Sequence, residues 1–216
     1  MATPKPQTRS LFATPVCIHF LPIATEANAE LRPLIVEKMQ SNGGIARGQG
    51  WRSSSDFETW CGALGDTLFR VVRDLADGLT ATRAGGRINL DWKISGVATV
   101  RQQGEYQEIA ARHGAFWSGV YYVDDGYQKS DDAALGGDCE IFDPRGPLPA
   151  MVAPQLAFRV QGGLTAGQTE TIRPQTGMII LHPSWVARGE RRYDGHSQRV
   201  SVEFDLAVPA NGGAPV

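Results

Sequence analysis

Residues 199–206 read Arg199-Val-Ser-Val-Glu-Phe-Asp-Leu206, an alternation that puts Val200, Val202, Phe204 and Leu206 on one face of a strand and Arg199, Ser201, Glu203 and Asp205 on the other. The same short, alternating or β-branched texture recurs upstream in INLDWKISGVATV (88–100), WSGVYYV (117–123), DCEIF (138–142), TETIRP (169–174) and GMIIL (177–181), with Gly, Pro and Asp turns between the runs. Gly 25 and Pro 13 together make 38 of 216 residues, a load of turn formers that suits many short strands better than a helical bundle. Before Gly86 the pattern is different. Phe57, Trp60, Leu64, Leu68, Val71, Val72 and Leu75 recur at three- and four-residue steps, predicting an amphipathic helix that Ser55 or Asp56 caps and that packs on a sheet. Residues 24–40 predict a kinked or short helix interrupted by Pro33, and 11–23 an edge strand. Helices first and strands after argue for a mainly β, α+β domain whose C-terminal half is a sandwich or barrel braced by helices.

Length and charge narrow the classes of function. A chain of 216 residues suits one domain, and 42% hydrophobic against 20% charged residues excludes a disordered protein. No apolar run is long enough to span a bilayer, so no membrane partner is expected. With 21 Lys and Arg against 23 Asp and Glu, the net charge of -2 provides no field for nucleic acid. Cys17, Cys61 and Cys139 are odd in number and form no CxxC pair, so they read as reduced thiols. Residues 1–6 lack a secretory pattern, and the expected location is cytoplasmic. Exposed sheet edges are compatible with a homodimer.

Several side chains could carry chemistry. Arg199 and Ser201 share a strand face, and a guanidinium fork beside a hydroxyl suits a bound carboxylate, although a solvated face fits the same alternation. Ser118, Val120 and Tyr122 share one face of 117–123. Trp51, Trp92, Trp117 and Trp185 suit either a substrate cleft or a core, while His19, His196 and Cys139 are assigned no catalytic role. The acidic segment DDGYQKSDD (124–132) lacks the spacing of a calcium loop and reads as a solvated excursion.

Taken together, Trp117-Ser-Gly-Val-Tyr-Tyr-Val123, Leu135-Gly-Gly, Phe142-Asp-Pro-Arg-Gly146, Ile172-Arg-Pro, Gly177-Met-Ile-Ile-Leu, Pro183-Ser-Trp185 and Arg199-Val-Ser-Val-Glu-Phe204 resemble the 2-oxoglutarate- and iron(II)-dependent oxygenase superfamily. More narrowly, the chain is similar to a bacterial and phage group within it, a likeness that LFATPV and SNGGIARGQGWRS extend to the N-terminal part. The resemblance implies a double-stranded β-helix, that is, a cupin-like jelly-roll barrel with N-terminal helices packed on one face. As a single domain 1–216 it divides into a strand and helical support at 11–85, a β-helix core at 86–206 and a frayed tail at 207–216. It also implies 2-oxoglutarate and Fe(II) as cofactors and hydroxylation of a small-molecule or peptide substrate. Arg199 matches the arginine that holds the distal carboxylate of 2-oxoglutarate, with Ser201 beside it, and Tyr122 matches a tyrosine that shares that carboxylate.

The metal positions depart from the pattern. Where the group has His-x-His-Pro, this chain has Ala110, Ala111, Arg112 and His113, and three residues after Pro183-Ser-Trp185 stands Arg188 in place of the distal ligand. Arginine carries no lone pair for a cation. A displaced metal set of His113, His182 and a glutamate, Glu140 or Glu190, is chemically acceptable. Three readings therefore stand: an oxygenase with a displaced metal; a metal-free barrel that binds a dicarboxylate or other anion; and a structural or interaction barrel whose arginines pair with Glu140, Glu190 or Asp205.

Overall fold

The structure is a computed structural model that describes residues 12–42, 50–156, 158 and 167–209, with the side chains of 42, 149 and 150 excepted. Its strands are β1 (Cys17–Phe20), β2 (Trp51–Arg52), β3 (Lys93–Arg101), β4 (Gln107–Ala110), β5 (Trp117–Asp124), β6 (Cys139–Ile141), β7 (Glu170–Ile172), β8 (Met178–Pro183), β9 (Arg188–Glu190) and β10 (Arg199–Ala207). The helices are α1 (Ala24–Asn42), α2 (Gly62–Leu79) and the short α3 (Leu148–Val152). Two antiparallel sheets form, one of six strands in the order β1-β8-β5-β10-β3-β2 and one of four in the order β4-β9-β6-β7. Among the described residues no helix is long and apolar enough to cross a membrane.

Alternation decides what each face of the large sheet meets. Val200, Val202, Phe204 and Leu206 point toward the helices together with Ala98, Val100, Tyr121, Val123, Ile179 and Leu181, and they pack with Ala27, Leu31 and Ile35 of α1 and Leu68, Phe69, Val72 and Ala76 of α2. Gly119 belongs to this arrangement, since a Cβ there would meet the Phe204 ring at 2.6 Å. The opposite face turns toward the small sheet. Val120, Tyr122, Met178 and Ile180 pack there against Cys139, Ile141 and Ile172.

The helices differ in detail from the pattern-based expectation. Phe57–Thr59 is a 3-10 turn and α2 begins only at Gly62, whose φ of +68° interrupts a continuous helix from 57. Asp56 makes no capping bond and instead accepts from Trp60 Nε1 at 3.1 Å. Conversely α1 runs unbroken through Pro33 to Asn42. Pro33 and Ala29, whose carbonyl Pro33 cannot serve as a donor, both lie on the exposed side, where solvent has access to that carbonyl. The edge position of the first strand agrees with the expectation, but only Cys17–Phe20 pairs, along β8. The expected tail lies outside the described residues from 210 onward, and β10 extends to Ala207.

Trp51, Trp92 and Trp117 are buried, whereas Trp185 is exposed. The indoles of Trp92 and Trp117 donate to Asp77 Oδ1 at 2.8 Å and Thr80 Oγ1 at 2.9 Å, tying the end of α2 to the sheet. Segment 124–132 is more than a solvated excursion. Its Tyr127 is buried and donates to the Gly136 carbonyl at 2.6 Å, while Asp124, Asp125 and Asp132 accept backbone N–H groups that shape the turns.

Candidate anion site between the sheets

The inward face of β10 carries Arg199, Ser201 and Glu203, and its neighbours carry Thr99 and Arg101 on β3 and Tyr122 on β5. In register, Arg199 lies opposite Arg101, and Ser201 lies between Thr99 and Tyr122. The facing sheet contributes Arg188 and Glu190 from β9 and Gln107 from β4. The layer between the sheets is therefore charged at one end and apolar at the other.

Two carboxylates organise the charged end. Glu203 receives both terminal nitrogens of Arg52, at 2.9 and 3.0 Å, with Arg101 Nη2 at 3.1 Å, Arg112 Nη2 at 2.9 Å and Arg188 Nη2 at 3.9 Å. Glu190 receives Tyr122 Oη at 2.8 Å, Arg101 Nη1 at 3.0 Å and Arg188 Nη1 at 3.2 Å, with Arg199 Nη1 4.0 Å away. Five arginines against two glutamates leave three positive charges in excess. Arg101, Arg188 and Arg199 are enclosed, while the side chains of Arg52 and Arg112 are 31% and 35% exposed and form a mouth to solvent.

Burial alone would raise the pKa of both glutamates. The charge of Arg101, then Arg188 and Arg199, overcomes it at Glu190, and that of Arg188, Arg52 and Arg101 overcomes it at Glu203, so both stay below the ordinary carboxylate range. Tyr122 is driven well above the usual phenol value by burial and then by the neighbouring Glu190 charge, which keeps its proton on the hydrogen bond. Burial pushes the Cys139 thiol up to about 11 despite the field of Arg188, so no thiolate nucleophile forms there.

Arg199 joins this network by charge and makes its hydrogen bonds elsewhere. Its Nε donates to the Asp125 carbonyl at 3.0 Å and its Nη1 to that of Gly137, and its plane lies 4.4 Å from the Tyr193 ring centre and 4.8 Å from that of Tyr127. Gly137 has a φ of +73°, and a Cβ there would collide with the guanidinium. Ser201 shares a 2.6 Å hydrogen bond with Thr99.

The candidate metal ligands, His113, His182 and either Glu140 or Glu190, do not form a set of three. His113 is exposed in the loop after β4. Glu140 lies between inward Cys139 and Ile141, so alternation turns it outward, where Arg191 binds it at 2.7 Å. His182 and Glu190 are enclosed, but the Glu190 carboxylate is taken by Tyr122, Arg101 and Arg188; His182 Nδ1 donates to the Pro183 carbonyl at 3.0 Å, and its Nε2 has no partner among the described residues. Burial, then the charge of Arg188, lowers its pKa to about 4. No group of three or more His, Cys, Asp or Glu positioned for a metal occurs among the described residues. The positions where a metal is expected do converge, with Ala110 paired across from Arg188 and both Arg112 and Arg188 directed at Glu203. They offer a methyl group and two guanidiniums. Asp205, another expected arginine partner, instead accepts from Ser118 at 2.7 Å.

Arg101, Arg52 and Glu203 were not singled out from sequence as site residues. Glu203 had a signal, since it shares the Arg199 face by alternation. Arg52 and Arg101 sit at strand ends far away in the chain and are joined to the site only by sheet pairing, Arg52 lying opposite Thr99. Two surface hollows, of about 280 and 450 Å3, lie around the end of α2 at Thr80 and Ala81, the smaller beside Phe116, Trp117 and Trp185. Neither touches the charged layer.

Residues 98–205 match the family model described as "Putative 2OG-Fe(II) oxygenase". No curated protein matches the chain in sequence. Among solved structures, a prolyl-4-hydroxylase from Pseudomonas putida superposes with a TM-score of 0.59 at 14% identity, over 91% of this chain and 93% of that one. HygX from Streptomyces hygroscopicus, with nickel and 2-oxoglutarate bound, gives 0.59 at 11% identity over 91% and 84%. AviO1 from Streptomyces viridochromogenes Tue57 gives 0.57 at 15% identity over 93% and 92%. At these identities the likeness concerns the fold.

Proposed function

Given that this chain belongs to the 2-oxoglutarate- and iron(II)-dependent oxygenase family, we propose that it is a metal-free member, a double-stranded β-helix that binds an anion at the mouth made by Arg52 and Arg112. One observation carries the reading. Where metal donors are expected, Arg112 and Arg188 both point between the sheets at Glu203. A guanidinium stays protonated and offers no lone pair, so this donor set does not fit Fe(II) and repels it. No oxygen chemistry is derived for such a site.

Binding is what the residues present can do. Glu203 brings the Arg52 and Arg112 guanidiniums side by side, and both side chains are part-exposed. The excess of positive charge favours a carboxylate or phosphate group there, held by charge-assisted hydrogen bonds. The apolar and ion-paired layer behind keeps the forks in place, so little ordering is needed on binding.

A second reading, an oxygenase with a displaced metal, draws support from the enclosed, unprotonated Nε2 of His182. One pair of measurements separates them. Elemental analysis of the purified protein is expected to find no stoichiometric metal, and anaerobic Fe(II) with 2-oxoglutarate to develop no visible absorption band. Phosphate or succinate at ten times its Kd is expected to raise the unfolding midpoint by about 4 °C over chloride at equal ionic strength. Near one iron per chain with the band overturns the proposal in favour of the enzyme, and indifference to both iron and anions leaves a structural barrel.

A further inference from the structure

The surroundings of Glu190 have the composition of a carboxylate-binding site. A phenol and two guanidiniums donate to its oxygens, from Tyr122 at 2.8 Å, Arg101 at 3.0 Å and Arg188 at 3.2 Å, and Arg199 stands 4.0 Å off. Two of these groups, Arg199 and Tyr122, are those that the family resemblance assigns to the distal carboxylate of 2-oxoglutarate. We propose that Glu190 is a built-in ligand: its side-chain carboxylate occupies a site that would otherwise accept a free small carboxylate, and removing it opens that site.

Three features set this apart from an ordinary buried ion pair. First, the cradle is held from behind. Arg199 is fixed by the Asp125 and Gly137 carbonyls and by two tyrosine rings, and Arg101 by Gln107 Oε1 at 3.0 Å and Glu203 at 3.1 Å. None of those contacts involves Glu190, so Arg199 and Arg101 remain in place when it is truncated, while Tyr122 Oη and Arg188 Nη1 are left needing an acceptor. Second, donors exceed acceptors, because Arg199 Nη2 and Arg101 Nε are buried without a partner among the described residues. The cradle can therefore bond a carboxylate in more than one way. Third, Glu190 enters from the small sheet, on the short strand β9, whereas Tyr122, Arg101 and Arg199 come from the large one. Deleting its carboxyl group takes nothing from the sheet that carries most of the donors.

The consequence is that the wild-type protein has no room for 2-oxoglutarate at Arg199 and Tyr122. The inference goes beyond the anion site at the mouth, since Arg52 and Arg112 contact Glu203 and not Glu190. Either can fail alone: phosphate on the wild type reports the mouth, and the excess response of a Glu190 variant to acetate reports the cradle.

The experiment compares thermal unfolding of wild type, Glu190→Ala and Glu190→Gln in sodium acetate, in sodium chloride of equal ionic strength, and in chloride with added acetamide. Glu190→Ala is expected to unfold at a lower temperature than wild type in chloride. Acetate then raises its midpoint by about 4 °C more than it raises that of wild type, while acetamide, of similar shape without charge, does not. Glu190→Gln fills the space and gains no more from acetate than wild type does. An acetate response equal in wild type and Glu190→Ala, equal in the Gln and Ala variants, or matched by acetamide overturns the proposal. If Glu190→Ala is insoluble in chloride, refolding decides the matter: soluble protein in acetate alone supports the built-in ligand, and insolubility in both salts overturns it.

Discussion

The helix-facing side of the six-stranded sheet and its inward side come from alternate residues of the same strands, yet they are stabilised by different physics. Outward, Ala98, Val100, Tyr121, Val123, Val200, Val202 and Phe204 lie in hydrocarbon supplied by α1 and α2. Inward, Thr99, Arg101, Tyr122, Arg199, Ser201 and Glu203 lie in a layer of paired charge and hydrogen bonds. The outward side is a sum of contacts that tolerates loss in increments proportional to the area removed. The inward side is coupled, because each carboxylate answers several guanidiniums and losing it removes an acceptor from all of them at once. A layer of this kind specifies which ions fit and contributes less net stability than its number of ion pairs suggests.

The largest effect expected from a single change is at Glu203. Glu203→Ala leaves Arg52, Arg101, Arg112 and Arg188 without their shared partner and is expected to cost about 4 kcal/mol in urea unfolding. A loss under about 1 kcal/mol would mean that water already screens the layer, and the contrast between the two faces would fall. Leu68→Ala, on the outward side, is expected to cost about 3 kcal/mol through lost burial and the cavity left behind. If it proves more damaging than Glu203→Ala, hydrocarbon and not charge sets the threshold for folding.

A pH series sharpens the comparison. His182 has its pKa lowered to about 4 from an ordinary 6.5, so the unfolded chain takes up a proton first. Its contribution is complete above pH 6.5 and is lost as pH falls toward 4. Between pH 7.5 and 5 the loss is roughly 2 kcal/mol, to be read from midpoints in urea, and His182→Asn should flatten that slope. Glu190 and Glu203, both held low, retain their contribution above the unfolded carboxylate pKa and lose it only as pH drops through their depressed folded values. The window from 7.5 to 5 therefore isolates the histidine. The smallest effect on stability is expected at Arg112, which is part-exposed: Arg112→Ala should cost under about 1 kcal/mol while abolishing the rise in midpoint with phosphate. Stability lost without a change in the phosphate response would place the anion elsewhere.

Much of the site is legible in the sequence. The alternation in 199–206 put Arg199, Ser201 and Glu203 on one face, and the structure keeps them there. The family resemblance placed Arg112 and Arg188 at metal positions but could not say where they point. The expected set of His113, His182 and Glu140 or Glu190 does not assemble: His113 is exposed, Glu140 follows a buried cysteine in a strand and faces outward, and Glu190 is bound by arginines. Helix boundaries were less legible than strands. Gly62 adopts a positive φ that splits the predicted helix, while Pro33 sits on an exposed turn that accommodates it.

What the sequence determined by itself was the division of each strand into two faces and the order of helices before strands, because both follow from periods of two and 3.6 residues that any local segment displays. The family resemblance, also read from sequence, implies that Ala110, Arg112 and Arg188 stand at the metal positions, and their side chains offer no lone pair. Which charge meets which was decided only by tertiary structure. Arg52 and Glu203 are separated by 151 residues, and Tyr122 and Glu190 by 68, so their pairing depends on sheet register and on two sheets closing over one layer. Electrostatic partners are chosen by distance in space, and a one-dimensional pattern carries no record of that distance.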